Sequence, residues 1–149
     1  MELEDELRTR RFRSVKHKAL LNVLFSAYWL RNELNTKLKP FKITVEQFNV
    51  MRILRGSAPN PLTIKDISSR MIERASNVSR ILDKLELKNY ILRTQSSFDK
   101  RESSIIITAK GEQLLKKLDV IVNIEEERLS NLTDDEALLL NQLLDKIRN

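Results

Sequence analysis

The segment from Leu62 to Gly111 constrains this chain most, because it carries the marks of two short helices, a turn and two β-branched runs in close succession. Val78, Ile81, Leu82 and Leu85 fall at i, i+3, i+4 and i+7, the buried stripe of a helix running from about Arg74 to Lys88. On a 3.6-residue wheel the opposite face carries Ser76, Arg80 and Asp83, flanked by Asn77, Ser79 and Lys84. Ahead of it, Thr63-Ile-Lys-Asp66 resembles an N-cap that opens a helix through Ile64, Ile67 and Met71. Behind it, Asn89 suits a left-handed helix stop. Tyr90–Thr94 and Ser104–Thr108 then read as antiparallel strands around a polar loop with Asp99, Lys100 and Arg101 near its tip.

A short helix whose outer face holds hydroxyls, an amide and cations is shaped to enter a major groove. With a helix before it and a hairpin after it, the order is that of a winged helix-turn-helix, which points to duplex DNA as the partner. Asn offers a donor and an acceptor that match adenine, and Arg suits guanine or phosphate, so Ser76, Asn77 and Arg80 are candidate base and phosphate contacts. Arg101 at the hairpin tip is placed to reach a narrow minor groove, braced by Asp99, with Lys100 and Arg93 adding positive charge. A solvated helix face and a charged turn are the plainer readings of the same residues, and their joint context argues against both. The competing function is a winged-helix module for protein assembly without DNA binding, in which positions 76, 77 and 80 should be apolar; they are not.

The chain is read as one domain of 149 residues, with no cysteine and hence no disulfide, thiolate metal site or thiol redox sensor. Its single histidine, His17, cannot anchor a familiar zinc site. No glycine-rich phosphate loop and no nucleophile–base pair stands out, so an enzyme is not expected and no cofactor is implied. No apolar run approaches the ~20 residues that span a bilayer, and the N-terminus lacks a signal-peptide core, so a cytoplasmic protein is expected. Two glycines, three prolines and 5% aromatic residues suit a mostly helical chain. The formal net charge of +6 is unevenly spread: residues 1–61 carry 12 basic and 6 acidic side chains, whereas residues 119–149 carry 3 and 8.

The flanks read as helices. A pattern without Pro or Gly runs from about Leu3 to Lys39, where Pro40 closes it. Its length suggests that part of it packs outside its own subunit. The basic run Arg8, Arg10, Arg11, Arg13, Lys16 and Lys18 follows four acidic residues, which reads as a salt-laced exposed helix. Thr44-Val-Glu-Gln47 is a capping box for a second helix through Phe48, Met51 and Leu54. After the hairpin a helix is expected from Ala109 to about Leu129. Thr133-Asp-Asp-Glu136 opens a last one with Leu140, Leu143, Leu144 and Ile147 as its stripe. Phe25, Tyr28, Trp29 and Phe48, with Arg31 nearby, are candidates to line a small-molecule pocket, although packing of a helical core explains the aromatics more cheaply.

The runs Ile67-Ser-Ser-Arg-Met71, Asn77-Val-Ser-Arg-Ile-Leu-Asp-Lys-Leu85 and Asp99-Lys-Arg101 through Ile107-Thr-Ala-Lys-Gly111 closely resemble MarR-type transcriptional regulators. The wing is the most specific part: Asp-x-Arg, a strand, then Thr-x-x-Gly opening a helix. The resemblance implies a mainly α fold with a small β-hairpin, a winged helix-turn-helix over 44–110 flanked by helical dimerisation regions at 1–39 and 111–149. It implies a homodimer, usually a repressor, on a pseudo-palindromic operator. By position, Ala75, Ser76, Asn77 and Arg80 would take the recognition-helix contacts, with Ser79 and Lys84 beside them, and Arg101 the wing contact. Many members accept a small aromatic effector between the dimer and DNA-binding lobes. The chain departs from the pattern at Ile72 and Asn89, where glycine is common, and at Arg74, where a Ser or Asp cap is frequent.

Overall fold

The computed structural model describes residues 2–73, 77–95, 103–123 and 125–149, without the side chains at 125 and 126. The elements are α1 (Leu3–Glu6), α2 (Val15–Leu38), a 3-10 turn (Lys39–Phe41), α3 (Val45–Ser57), α4 (Ile64–Arg70), α5 (Val78–Leu87), β1 (Ile91–Gln95), β2 (Ser103–Ile107), α6 (Ala109–Ile121), a π-helical turn (Glu125–Leu129) and α7 (Asp134–Arg148).

Local chemistry starts most of these helices. Capping boxes join Thr44 to Gln47, Thr63 to Asp66 and Thr133 to Glu136, satisfying backbone N–H groups that a first turn leaves open. The first helical region differs from the expectation of one long helix. It breaks after α1, Arg8 adopts φ 49°, and α2 starts afresh where the Ser14 hydroxyl accepts from the His17 amide. Tertiary contacts hold the break: Leu3 is buried and Glu4 pairs with Lys18 of α2. Arg8, Arg10, Arg11 and Arg13 therefore sit on an exposed non-helical arm.

Apolar stripes of α3, α4, α5, α6 and the hairpin form one core, with Met51, Leu54, Ile67, Leu82, Leu85, Ile105, Leu115 and Leu118 almost fully enclosed. The strands pair antiparallel, Ile91 opposite Ile107 and Arg93 opposite Ile105. Alternation turns Ile91, Ile105 and Ile107 inward and leaves Leu92 and Ile106 outside. Leu62 adds a bridge to Ile105, tying the segment before α4 to the hairpin.

The Thr-x-x-Gly signature has a steric cause. The Thr108 hydroxyl accepts from the Gly111 amide at 3.1 Å and donates to the Asn89 carbonyl at 2.8 Å. A Cβ on Gly111 would lie 2.3 Å from the Tyr90 carbonyl oxygen and 2.8 Å from Ile107 Cγ1. Glycine thus lets α6 press onto the backbone between α5 and β1. The φ of 58° at Asn89 is the left-handed conformation that asparagine tolerates. α6 stops at Ile121, short of the expected Leu129, and the π-helical turn after it is tethered to α2 by Lys37–Glu127 and Arg128–Glu33.

Two outcomes are expected. Gly111→Ala should destabilise the fold by ~1–3 kcal/mol in urea unfolding despite alanine's better helix propensity, because a backbone carbonyl blocks the methyl group. The Asp66 carboxyl is held below its ordinary range by the Thr63 hydroxyl and then the Thr63 amide. Its cap therefore contributes fully above the unfolded carboxylate pKa and is lost as pH falls through the lower folded value. Asp66→Asn should flatten the acid limb of stability below about pH 5, where the unfolded carboxylate begins to protonate.

Candidate nucleic-acid interface

Burial of Val78, Ile81, Leu82 and Leu85 sets the rotation of α5 about its own axis. The outward face then carries Asn77, Ser79, Arg80, Asp83 and Lys84, all exposed. Asn77 occupies the N-cap position, yet its side chain makes no cap hydrogen bond; its carbonyl receives the Arg80 amide at 3.0 Å. The amide group is left to face solvent. Among the described residues neither Arg80 nor Lys84 has an ion-pair partner, and both line an open groove with Thr44, Gln47, Glu73 and Asn77.

The positive potential continues past the end of the helix. Lys88 donates to the Lys42 carbonyl at 2.6 Å, and its ammonium is pushed below its ordinary pKa by burial, then by the nearby charges of Lys84 and Lys42. Lys110 of α6 donates to the Lys88 carbonyl at 2.9 Å and lies over the Tyr90 ring, closing the C-terminal end of α5.

Arg93, expected from sequence among the DNA-facing cations, points elsewhere. It shares the inward face of β1 with Ile91, and its guanidinium reaches α5: Nη2 donates to the Ser79 carbonyl at 3.1 Å and to Asp83 Oδ1 at 2.7 Å, while Nε lies 3.5 Å from Glu86. The strand's alternation, with Ile91 two residues earlier, was the sequence signal for this orientation. Ala75, Ser76, Asp99, Lys100 and Arg101 lie outside the described residues.

The five pocket candidates do not share one pocket. Phe48 is buried in the core with Arg52 against its ring. Phe25 and Trp29 face a concavity of about 550 Å³ beside Arg128, whose guanidinium stacks over Trp29. Tyr28 and Arg31 face a different cleft of about 570 Å³, largely apolar, with Leu34, Val45, Met71 and Ile72. The two stripes lie roughly 110° apart around α2, as a 3.6-residue repeat requires. Arg31 pairs with Glu46 of α3 and with Glu73 between α4 and α5, so one side chain of the long helix touches both the start of α3 and the segment after α4. Burial pushes the Glu46 carboxyl up, but its own amide, the Thr44 hydroxyl and Arg31 outweigh that and hold it below its ordinary range.

A three-helix unit with a polar, cationic face on its third helix and a following hairpin defines the winged helix-turn-helix class. Residues 43–103 match the family model described as MarR family. The chain is 30% identical over 119 residues to the HTH-type transcriptional regulator YwoH of Bacillus subtilis, covering 79% of this chain and 85% of YwoH. Among solved structures it resembles a mutant of Escherichia coli MarR complexed with operator DNA, at 25% identity and a TM-score of 0.74, over 99% of both chains. It also resembles Staphylococcus aureus MepR in a DNA complex, at 27% identity and a TM-score of 0.77, over 87% of this chain and 94% of the other. The chain belongs to the MarR family. It is a winged-helix transcription regulator, a DNA-binding class of protein, and not an enzyme.

Proposed function

We infer that this protein is a homodimeric repressor that lays the outer face of α5 in the major groove and the tip of its hairpin against the neighbouring minor groove. The observation that carries this reading is the exposed row Asn77, Ser79, Arg80 and Lys84, lacking ion partners among the described residues and set on a helix whose other face is locked in the core. Asn77 has an adenine-matching amide, Arg80 a fork for guanine or phosphate, and Lys84 a phosphate contact. Ala75 and Ser76 join them on sequence grounds, as do Lys100 and Arg101 with Asp99 as brace.

The dimer is supported by apolar surface with no partner in one chain. In α7 Leu138, Leu139, Leu140, Leu143 and Ile147 are all exposed, and α2 leaves Leu20, Leu24 and Tyr28 open. A monomer rarely leaves so many large apolar side chains in solvent. Two recognition helices related by a twofold axis read a pseudo-palindrome with half-sites about one helical turn apart, ~10–10.5 bp. Release by a small aromatic effector fits the cleft beside Tyr28 and Arg31. A ligand that draws Arg31 from Glu73 acts on the segment entering α5, and shifts DNA affinity only by its preference for one state.

Binding to random duplex measured across a salt series should show log K falling steeply with log salt; a flat response would leave the assembly-module reading standing. Arg80→Ala should weaken binding and relax base preference, whereas Arg101→Ala should mainly weaken it. Wild-type affinity for both at about 150 mM salt would refute the contacts. Light scattering at micromolar concentration should report a dimer.

A further inference from the structure

We propose that Arg93 is a positioning residue of the DNA interface: it locks the hairpin to the recognition helix so that the two approach DNA as one rigid unit. The proposal rests on the winged-helix reading of α5 and the hairpin and assigns Arg93 a role other than touching DNA.

Three acceptors on successive turns of α5 converge on this one side chain. The Ser79 carbonyl and Asp83 both take hydrogen bonds from Nη2, and Glu86 lies 3.5 Å from Nε. Residues 79, 83 and 86 follow the i, i+4, i+7 spacing of one helix face, so a strand lying along that face meets all three. The guanidinium is largely covered, its side chain keeping only 20% of its exposure, and Nε is fully enclosed with no hydrogen-bond partner. Two carboxylates beside one guanidinium leave the local cluster net negative, a poor attractor for phosphate. A planar fork holding several acceptors is instead a directional clamp.

Its place along the strand gives the clamp leverage. Ile91 is buried and Arg93 half-buried, but Thr94 and Gln95 are exposed, so Arg93 is the last residue of β1 held against the body. Its opposite number on β2 is the fully buried Ile105. Beyond that pair Thr94 and Gln95 are exposed and are held by strand pairing with Ser104 and Ser103. The same guanidinium grips Ser79 and Asp83, which lie together on one side of Arg80. Strand and helix are thereby held in one relative orientation, which is what reading a major and a minor groove together demands.

The experiment uses full-length protein and a duplex that the wild type selects from a random-sequence library, with unselected random duplex as the second probe. Arg93→Ala and Asp83→Asn should each weaken the selected duplex roughly tenfold or more while changing random-duplex affinity less than twofold. The double variant should be no worse than either single one, and the salt slope should stay within about half a unit of wild type. Circular dichroism must show each variant folded at the assay temperature. Loss of folded protein alone would lower both duplexes equally, so the selected-to-random ratio separates positioning from instability. If Arg93 instead gripped phosphate, Arg93→Ala would reduce the salt slope by about one, and Asp83→Asn, by freeing the arginine, would tighten binding. Either result overturns the proposal; equal loss on both duplexes does so as well. Should Arg93→Ala fail to fold, Asp83→Asn decides by the sign of its effect. If the wild type selects no duplex, the winged-helix DNA reading fails and not the clamp.

Discussion

Everything on the DNA-facing side of this protein depends on burial of one stripe, Val78, Ile81, Leu82 and Leu85. Each of these side chains stabilises the fold by about 1.5–3 kcal/mol through removal from water. Together they fix the angle of α5 about its axis. Asn77, Ser79, Arg80 and Lys84 are exposed because rotation would bring apolar side chains into solvent and cations into the core. A site built of short polar groups has no packing of its own to hold it, so it borrows rigidity from the opposite face.

The second level of organisation is the convergence of backbone at the C-terminal end of α5. Asn89 turns the chain with a left-handed residue, Thr108 bonds across to its carbonyl, and Gly111 admits α6 against Tyr90. Lys110 and Lys88 complete the closure with ammonium-to-carbonyl bonds. These contacts seat the base of the hairpin, and the arginine on β1 then ties its outer part to α5. The recognition surface is thus supported from below by apolar packing and from the side by directional polar bonds.

Between that unit and the long helix α2 lies a sparser junction. Arg31 reaches both Glu46 and Glu73. Ion pairs near the surface are individually weak and salt-sensitive, whereas the core beneath α5 is not. The polar contacts that α2 makes with the winged unit are therefore its salt-sensitive ones. An apolar cleft beside Tyr28 and Arg31 sits at that joint.

Much of this was legible in the chain alone. The three capping boxes, the apolar stripe of α5, the turn at Asn89 and the hairpin depend on neighbours a few residues apart, and short-range patterns encode short-range physics. The break before Ser14 was not legible, because Leu3 and Glu4 find their partners across the fold rather than along it. Nor was the scatter of Phe25, Tyr28, Trp29, Arg31 and Phe48 over two concavities and the core, although the helical repeat hinted at it. Arg93 carries the same lesson: its charge advertised an open cation, and only the approach of α5 to β1 showed two carboxylates and a carbonyl waiting for it. Sequence determined which residues are polar, where helices begin and which faces must be buried. Tertiary structure decided which charges remain free, because neutralisation depends on distances that only the packed chain sets.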